Sequence, residues 1–107
     1  MVSVKLYHKL VRDRIPEIIE ASGKTCVTEI MSDDDYAAAL DAKLNEELQE
    51  YYADHSVEEL ADMLEVLRAC AVARGYTLEQ LEAVRAEKAA KRGAFAKKIL
   101  LTEVDDK

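Results

Sequence analysis

The sequence has little of what interrupts a helix: one proline and three glycines in 107 residues. Tryptophan is absent and phenylalanine occurs once. Half of the residues are apolar and 35% are charged, with many Ala, Leu, Glu and Lys, a composition typical of helical globular proteins. We therefore expect residues 1–107 to form one small domain of the all-α class.

Cysteine and long apolar runs are also scarce, and the 15 basic residues are outnumbered by 22 acidic ones. Cys26 and Cys70 are too few for a disulfide framework. No apolar run reaches the roughly 18 residues of a membrane span, and the charged N-terminus lacks a signal-peptide apolar region. The formal net charge of −7 disfavours non-specific binding to nucleic acid. We expect a cytoplasmic protein with neither a membrane nor a nucleic-acid partner.

Helix start and stop signals divide the chain. Pro16 suits the first turn of a short helix over residues 15–21. The TCVTEIM segment that follows is either a short extended piece or a loop, which one β-branched run does not distinguish. Ser32, Ser56 and Thr77 predict the starts of three longer helices, over about 33–53, 57–74 and 78–92. Short connections predict an antiparallel hairpin with flanking helices, and we expect oligomerisation to complete the bundle.

One acidic residue lies inside an apolar stripe of the first long helix. At about 100° per residue, the stripe runs through Leu40, Leu44, Leu48 and Tyr51, and Glu47 falls within it. Glu50 lies at its edge. A carboxylate in this place must be protonated, paired with a cation or bound to metal, because an unpaired buried charge costs several kcal/mol.

The second long helix has two apolar faces, which predicts burial on two sides, and one of these faces carries Glu59 and Asp62. If the two helices are antiparallel neighbours, these acids meet Glu47 and Glu50, since each pair is spaced three residues apart. Four carboxylates without a histidine favour Mg²⁺ or Mn²⁺ over zinc. An alternative for Glu59 is a capping box with Ser56.

The acidic pattern EELQE, eight residues, then ELAD resembles the E-E-x-x-E…E-x-x-D signature of the MazG-like all-α nucleoside triphosphate pyrophosphohydrolase superfamily. Two more segments, HKLVRDRIPEII and KRGAFAKKILL, resemble the opening and ending of its small, phosphoribosyl-ATP pyrophosphohydrolase-like, house-cleaning branch. The likeness extends over nearly the whole chain. Ala94 departs from it, standing where the branch often has a second glycine.

The resemblance implies an all-α enzyme, dimeric or tetrameric, that cleaves nucleoside triphosphates between the α- and β-phosphates with Mg²⁺. Carried over by position, Glu47, Glu50, Glu59 and Asp62 would hold the metal. Glu46 would have a supporting catalytic role, orienting the attacking water.

The phosphates need cations as well as metal. Lys9 and Arg12 in the first motif, and Lys91 and Arg92 in the last, are the candidates; the alternative is that they are solvated charges or, at the end of a helix, partners of its dipole. Two other functions stay open: phosphoribosyl-ATP pyrophosphohydrolase of histidine biosynthesis, and a non-catalytic helical oligomerisation or regulatory module with a structural metal site. Pyrophosphate release distinguishes an enzyme from a module.

Overall fold

A computed structural model of the chain describes Val4 and residues 8–106. Within them the protein is all-helical, with α1 (Ile15–Ala21), α2 (Asp33–Ala53), α3 (Val57–Ala73) and α4 (Leu78–Arg92). These bounds match the predicted helices to within one residue. The described part contains no strand, and TCVTEIM lies in the irregular connection between α1 and α2.

Local side-chain caps fix where the long helices begin. The Ser32 hydroxyl accepts a hydrogen bond from the Asp35 N–H at 3.2 Å, and the Ser56 hydroxyl accepts one from the Glu59 N–H at 3.3 Å. At α4, Thr77 and Gln80 form a reciprocal capping box. Each cap satisfies backbone donors that a helix start leaves without partners.

Helices α2 and α3 pack against each other as the predicted hairpin. Their connection is residues 54–56, and the Arg74 guanidinium just after α3 donates to the Asp41 carboxylate near the start of α2 at 2.8 Å. Gly75 turns the chain at φ +92°, a left-handed conformation that favours glycine. Helix α4 then packs against α3 and not against α2.

The hairpin interior is small. Among the described residues only two are buried, Leu40 at 3% exposure and Glu47 at 6%. The Cα radius of gyration is 19.2 Å, whereas a compact chain of this length has about 13 Å. Among the described residues the fold thus buries one carboxylate, Glu47, and one apolar side chain, Leu40.

The expectation that α3 is buried on two sides was wrong for a single chain. The side with Glu59, Asp62 and Val66 is partly covered by α2, but Leu60, Leu64 and Leu67 on the other side are 48%, 58% and 43% exposed. Helix α4 meets α3 too sparsely to cover them. None of the helices in the described residues is long and apolar enough to cross a membrane.

Candidate metal centre

Helix α2 supplies three carboxylates from one turn. Glu46, Glu47 and Glu50 each place an oxygen within 4.8 Å of the others. Glu47 points into the hairpin, while Glu46 is half-buried and Glu50 is exposed at the edge of the contact. The helical repeat accounts for this, since residues three and four apart share a face. The predicted position of Glu50 at the edge is confirmed.

Helix α3 adds two carboxylates from the facing side. Glu47, Glu59 and Asp62 also bring one oxygen each within 4.8 Å of one another. Glu47 thus belongs to both groups and links the two helices. Ser56 accepts only the Glu59 backbone N–H, and the structure has no reciprocal capping box at α3, so the Glu59 carboxylate is directed to the cluster instead.

Two oxygens in the cluster are buried without a hydrogen-bond partner: Glu47 Oε2 and Glu59 Oε2. Burial raises the pKa of Glu47, and the nearby Glu50 carboxylate raises it further, while Lys43 opposes the shift. Burial also raises the pKa of Glu59, followed by repulsion from Asp62 and Glu47. Both shifts mean that the negative form is costly in the protein alone.

Three cations surround the carboxylates without saturating them. Lys43 Nζ lies 3.4 Å from Glu47 Oε1 and 3.5 Å from Glu46 Oε1. Lys9 Nζ lies 3.7 Å from Glu46 Oε1, and Arg12 Nη2 lies 2.6 Å from Asp62 Oδ1. Five carboxylates against three cations leave the centre negatively charged. The predicted residues Lys9 and Arg12, which precede α1, therefore lie at the acidic cluster.

A shallow pocket of about 180 Å³ opens beside Glu46. The N-terminal segment lines it with His8, Lys9 and Leu10, and α2 lines it with Lys43 and two alanines. Pockets for organic ligands are commonly about 300–1,000 Å³, so this one is smaller than most of them. The pocket places two ammonium groups next to a carboxylate of the centre.

The two C-terminal candidates, Lys91 and Arg92, lie apart from the ion pairs of the cluster. Lys91 Nζ pairs with Glu87 Oε1 on its own helix at 2.9 Å. Both residues are in the last turn of α4, where cations interact favourably with the helix dipole. In the described part of the chain neither residue pairs with a carboxylate of the α2–α3 cluster.

Lys43 is the residue that the predicted substrate-binding set lacked. It precedes Glu46 by three residues and Glu47 by four, so helical spacing alone places it on their face. Lys9 and Arg12 come from a distant part of the chain, and only the motif resemblance indicated them. His8 and His55 are both exposed.

The residues fit a hard divalent cation. Every donor in the cluster is a carboxylate oxygen, the ligand type that Mg²⁺ and Mn²⁺ prefer. The two buried oxygens without partners distinguish this cluster from an ordinary acidic surface. Polar atoms in a protein interior are nearly always hydrogen-bonded, so these two oxygens indicate a ligand. A cation would satisfy both oxygens and neutralise the excess charge.

Comparisons with known proteins give one similar sequence. An uncharacterized protein of Mycolicibacterium smegmatis is 64% identical over 45 residues, which are 42% of this chain and 46% of that protein. The match therefore spans less than half of that protein's length. No family model matches the chain, and no solved structure matches it. The resemblance to MazG-like enzymes rests on the motifs themselves.

Proposed function

We propose that the protein is a Mg²⁺-dependent nucleoside triphosphate pyrophosphohydrolase that releases a nucleoside monophosphate and pyrophosphate, acting on noncanonical nucleotides. The observation that carries this proposal is Glu47, a carboxylate at 6% exposure with an unpartnered oxygen, which joins the acidic groups of two helices. The acidic signature and the two flanking motifs supply the choice of reaction.

Glu47, Glu50, Glu59 and Asp62 would hold the cation, with Mn²⁺ as a substitute for Mg²⁺. When bound, Mg²⁺ supplies charge neutralisation for the triphosphate and Lewis-acid polarisation of its oxygens. Phosphoryl transfer depends mainly on positioning and on charge stabilisation, so no nucleophilic side chain is required. This agrees with a site composed of carboxylates and cations alone.

In the proposed reaction, a water oxygen bonds to phosphorus at the α–β anhydride, the P–O bond to the bridging oxygen breaks, and pyrophosphate leaves. Glu46, which lines the pocket, orients the water and accepts its proton. Lys9 and Arg12 hold phosphate oxygens through charge-assisted hydrogen bonds. Lys91 and Arg92 belong to the proposed substrate set through the C-terminal motif alone.

We further propose that the enzyme works as a homo-oligomer in the cytoplasm. The chain exposes 9,999 Å², whereas a compact protein of 12.0 kDa exposes about 6,000 Å². A second subunit would cover part of this excess. The free thiols of Cys26 and Cys70 suit a reducing compartment.

The test is pyrophosphate release from a panel of canonical and modified nucleoside triphosphates plus phosphoribosyl-ATP, each with Mg²⁺, with Mn²⁺ and with chelator. We expect release that chelator abolishes, fastest with a modified nucleotide. Preference for phosphoribosyl-ATP would instead assign the enzyme to histidine biosynthesis. Silence across the panel, with folded protein, would contradict catalysis and favour a helical oligomerisation or regulatory module.

Matched variants locate the activity. Glu47→Gln and Asp62→Asn each remove a carboxylate without changing side-chain shape, and we expect both to abolish turnover while the helical circular dichroism signal is retained. Glu82→Gln on α4 is the control, since Glu82 pairs with Arg85 away from the cluster. Full activity in both of the first two variants would rule out the assigned centre.

A further inference from the structure

We propose that Lys43 is an exchangeable counter-ion of the metal centre. It pairs with Glu46 and Glu47 when no divalent cation is bound, and it binds a phosphate group in the neighbouring pocket once a divalent cation has replaced it. This inference rests on the metal centre of the proposed function, and it adds a phosphate-binding residue and a coupling between metal and phosphate. Testing it requires neither a nucleotide nor turnover.

Lys43 is held between two carboxylates and is mostly withdrawn from water. Its Nζ lies 3.5 Å from Glu46 Oε1 and 3.4 Å from Glu47 Oε1, and its side chain is 19% exposed. Lys91 and Glu87 form a pair with the same separation along α4, but their side chains are 71% and 63% exposed, so water competes for both charges. Lys43 has no such access to water and therefore needs an anionic partner at all times.

Lys43 is an incomplete partner for Glu47. It contacts Oε1 of this carboxylate, whereas Oε2 is buried without a hydrogen-bond partner. Glu47 also has oxygens of Glu59 and Asp62 within 4.8 Å, and these add negative charge from α3. One ammonium group on one oxygen therefore leaves the centre in need of further positive charge.

The charge of the centre makes Lys43 and a divalent cation competitors. Five carboxylates against three cations leave two negative charges, which one divalent cation would neutralise. Lys43 would then be one of two cations sharing the Glu47 carboxylate, and like charges repel strongly where water is scarce. Metal binding therefore weakens the pair of Lys43 with Glu47, while the ammonium group still needs an anion.

The pocket beside Glu46 gives a replacement anion a place to bind. Lys43 and Lys9 both line this pocket of about 180 Å³, and Ala39 and Ala42 contribute only small side chains to its α2 wall. The two ammonium groups lie near the same atom, Glu46 Oε1, with Lys43 Nζ at 3.5 Å and Lys9 Nζ at 3.7 Å. Two ammonium groups that share one carboxylate oxygen are close enough to donate to one phosphate group.

Charge and flexibility make phosphate the anion that suits this pocket. A lysine carries its charge and three donors on a flexible stem, so Lys43 can turn from the carboxylates to the pocket without movement of α2. An organic carboxylate brings one negative charge and gains little over Glu46 itself. A terminal phosphate brings about 1.5–2 negative charges at pH 7 and can occupy both lysines.

Calorimetry with Mg²⁺, in the absence of phosphate, tests the competition. Lys43→Met removes the competing charge and keeps most of the side-chain length, so we expect Mg²⁺ to bind at least about five-fold more tightly. Lys88→Met is the matched control, because it removes an exposed lysine from α4, which packs against α3 and not against α2. Unchanged or weaker Mg²⁺ binding by folded Lys43→Met would overturn the proposal, since Lys43 would then only position the carboxylates.

Titration with inorganic phosphate at about pH 8, followed by nuclear magnetic resonance, tests the exchange. We expect the parent protein to bind phosphate at least about ten-fold more tightly with saturating Mg²⁺ than with chelator, and Lys43→Met to lose most of this difference. Tighter Mg²⁺ binding together with weaker phosphate binding is the expected signature, which a lysine with a merely structural role would not produce.

Lys9→Met keeps the test independent of whether Lys43→Met folds, because the Lys9 side chain is 47% exposed. With Mg²⁺ bound, this variant should weaken phosphate binding at least about five-fold and leave Mg²⁺ affinity unchanged. Unchanged phosphate affinity in Lys9→Met would overturn the assignment of the pocket.

The outcomes separate this inference from the proposed enzyme activity. Pyrophosphate release by the parent protein, with unchanged Mg²⁺ and phosphate affinities in Lys43→Met, would refute the exchange and leave the enzyme assignment intact. Opposite shifts of the two affinities, without release from any nucleotide, would refute the enzyme assignment and support the exchange. A parent protein that binds no Mg²⁺ would contradict both.

Discussion

Replacing the buried carboxylate of Glu47 separates a metal ligand from a structural ion pair. The Glu47→Gln variant keeps the size of the side chain and removes its charge. In the metal-free protein, burial raises the pKa of Glu47, so the charged form is costly at neutral pH, and the ion pair with Lys43 at 3.4 Å offsets part of this cost. We expect the free energy of unfolding without metal to change by less than about 1 kcal/mol, or to increase.

With Mg²⁺ bound, the parent protein should become more stable than Glu47→Gln. A ligand that binds only the folded protein adds about 2.7 kcal/mol at a concentration 100 times its dissociation constant. For a domain of this size each kcal/mol raises the melting temperature by roughly 4 °C, so the parent protein should gain about 10 °C. Glu47→Gln loses a ligand shared by both acidic groups and should gain little.

The assay is thermal unfolding followed by far-UV circular dichroism, with chelator and over a Mg²⁺ titration at one protein concentration. Glu82→Gln is the control and should show the full gain, because its exposed carboxylate pairs with Arg85 on α4. Two results would refute the reasoning. One is an undiminished Mg²⁺ gain in Glu47→Gln; the other is a loss of about 3 kcal/mol or more without metal, which would identify a structural ion pair.

Three other perturbations test the cations and the protons of the centre. Arg12→Ala should tighten Mg²⁺ binding by up to about five-fold in calorimetry, because Arg12 competes with the metal for Asp62 in a partly exposed ion pair. The same variant should raise KM for the triphosphate. Unchanged Mg²⁺ affinity together with unchanged KM would contradict the role of Arg12. Without metal, Lys43→Met should lower the free energy of unfolding, measured with urea, by about 2 kcal/mol, because Glu47 loses its paired cation. An increase in the free energy of unfolding would show that the fold does not need Lys43. Any stability advantage of Glu47→Gln without metal should shrink as the pH falls towards 4.5. The Glu47 carboxyl of the parent protein is protonated more readily in the folded than in the unfolded chain, and protonation removes the same charge as the substitution. A difference in unfolding free energy that stays constant with pH would contradict the raised pKa.

The helices could be predicted because their signals are local. Ser32, Ser56 and Thr77 cap the backbone within three residues, and glycines follow three of the helices directly or within two residues. The acidic centre was predictable for the same reason, since spacing of three residues fixes a shared face before any packing is known. The capping-box alternative for Glu59 failed because its carboxylate lies among other acids of the hairpin.

What depends on distant contacts was harder to predict. The approach of Lys9 and Arg12 to the cluster joins residues about 40–50 positions apart, and no periodicity encodes it. The periodicity of α3 did indicate two apolar faces, but it does not say whether a face is covered by the same chain or by another. Leu60, Leu64 and Leu67 show the difference, since their spacing is that of a core while their exposure in one chain is that of a surface.

The two faces of α3 suggest that assembly and catalysis stabilise the same element. On one side, repulsion among Glu47, Glu59 and Asp62 works against the hairpin until a cation neutralises it. On the other side, the exposed leucines Leu60, Leu64 and Leu67 contribute little to stability until another apolar surface covers them. If the centre binds a cation and the proposed oligomer covers these leucines, metal binding and oligomerisation each favour the folded α3, so each should strengthen the other wherever α3 is partly unfolded. Mg²⁺ should then promote self-association of the parent protein and leave that of Glu47→Gln unchanged. Sedimentation with and without chelator measures both, and an equal effect of Mg²⁺ on the two proteins would show that the coupling does not pass through this centre.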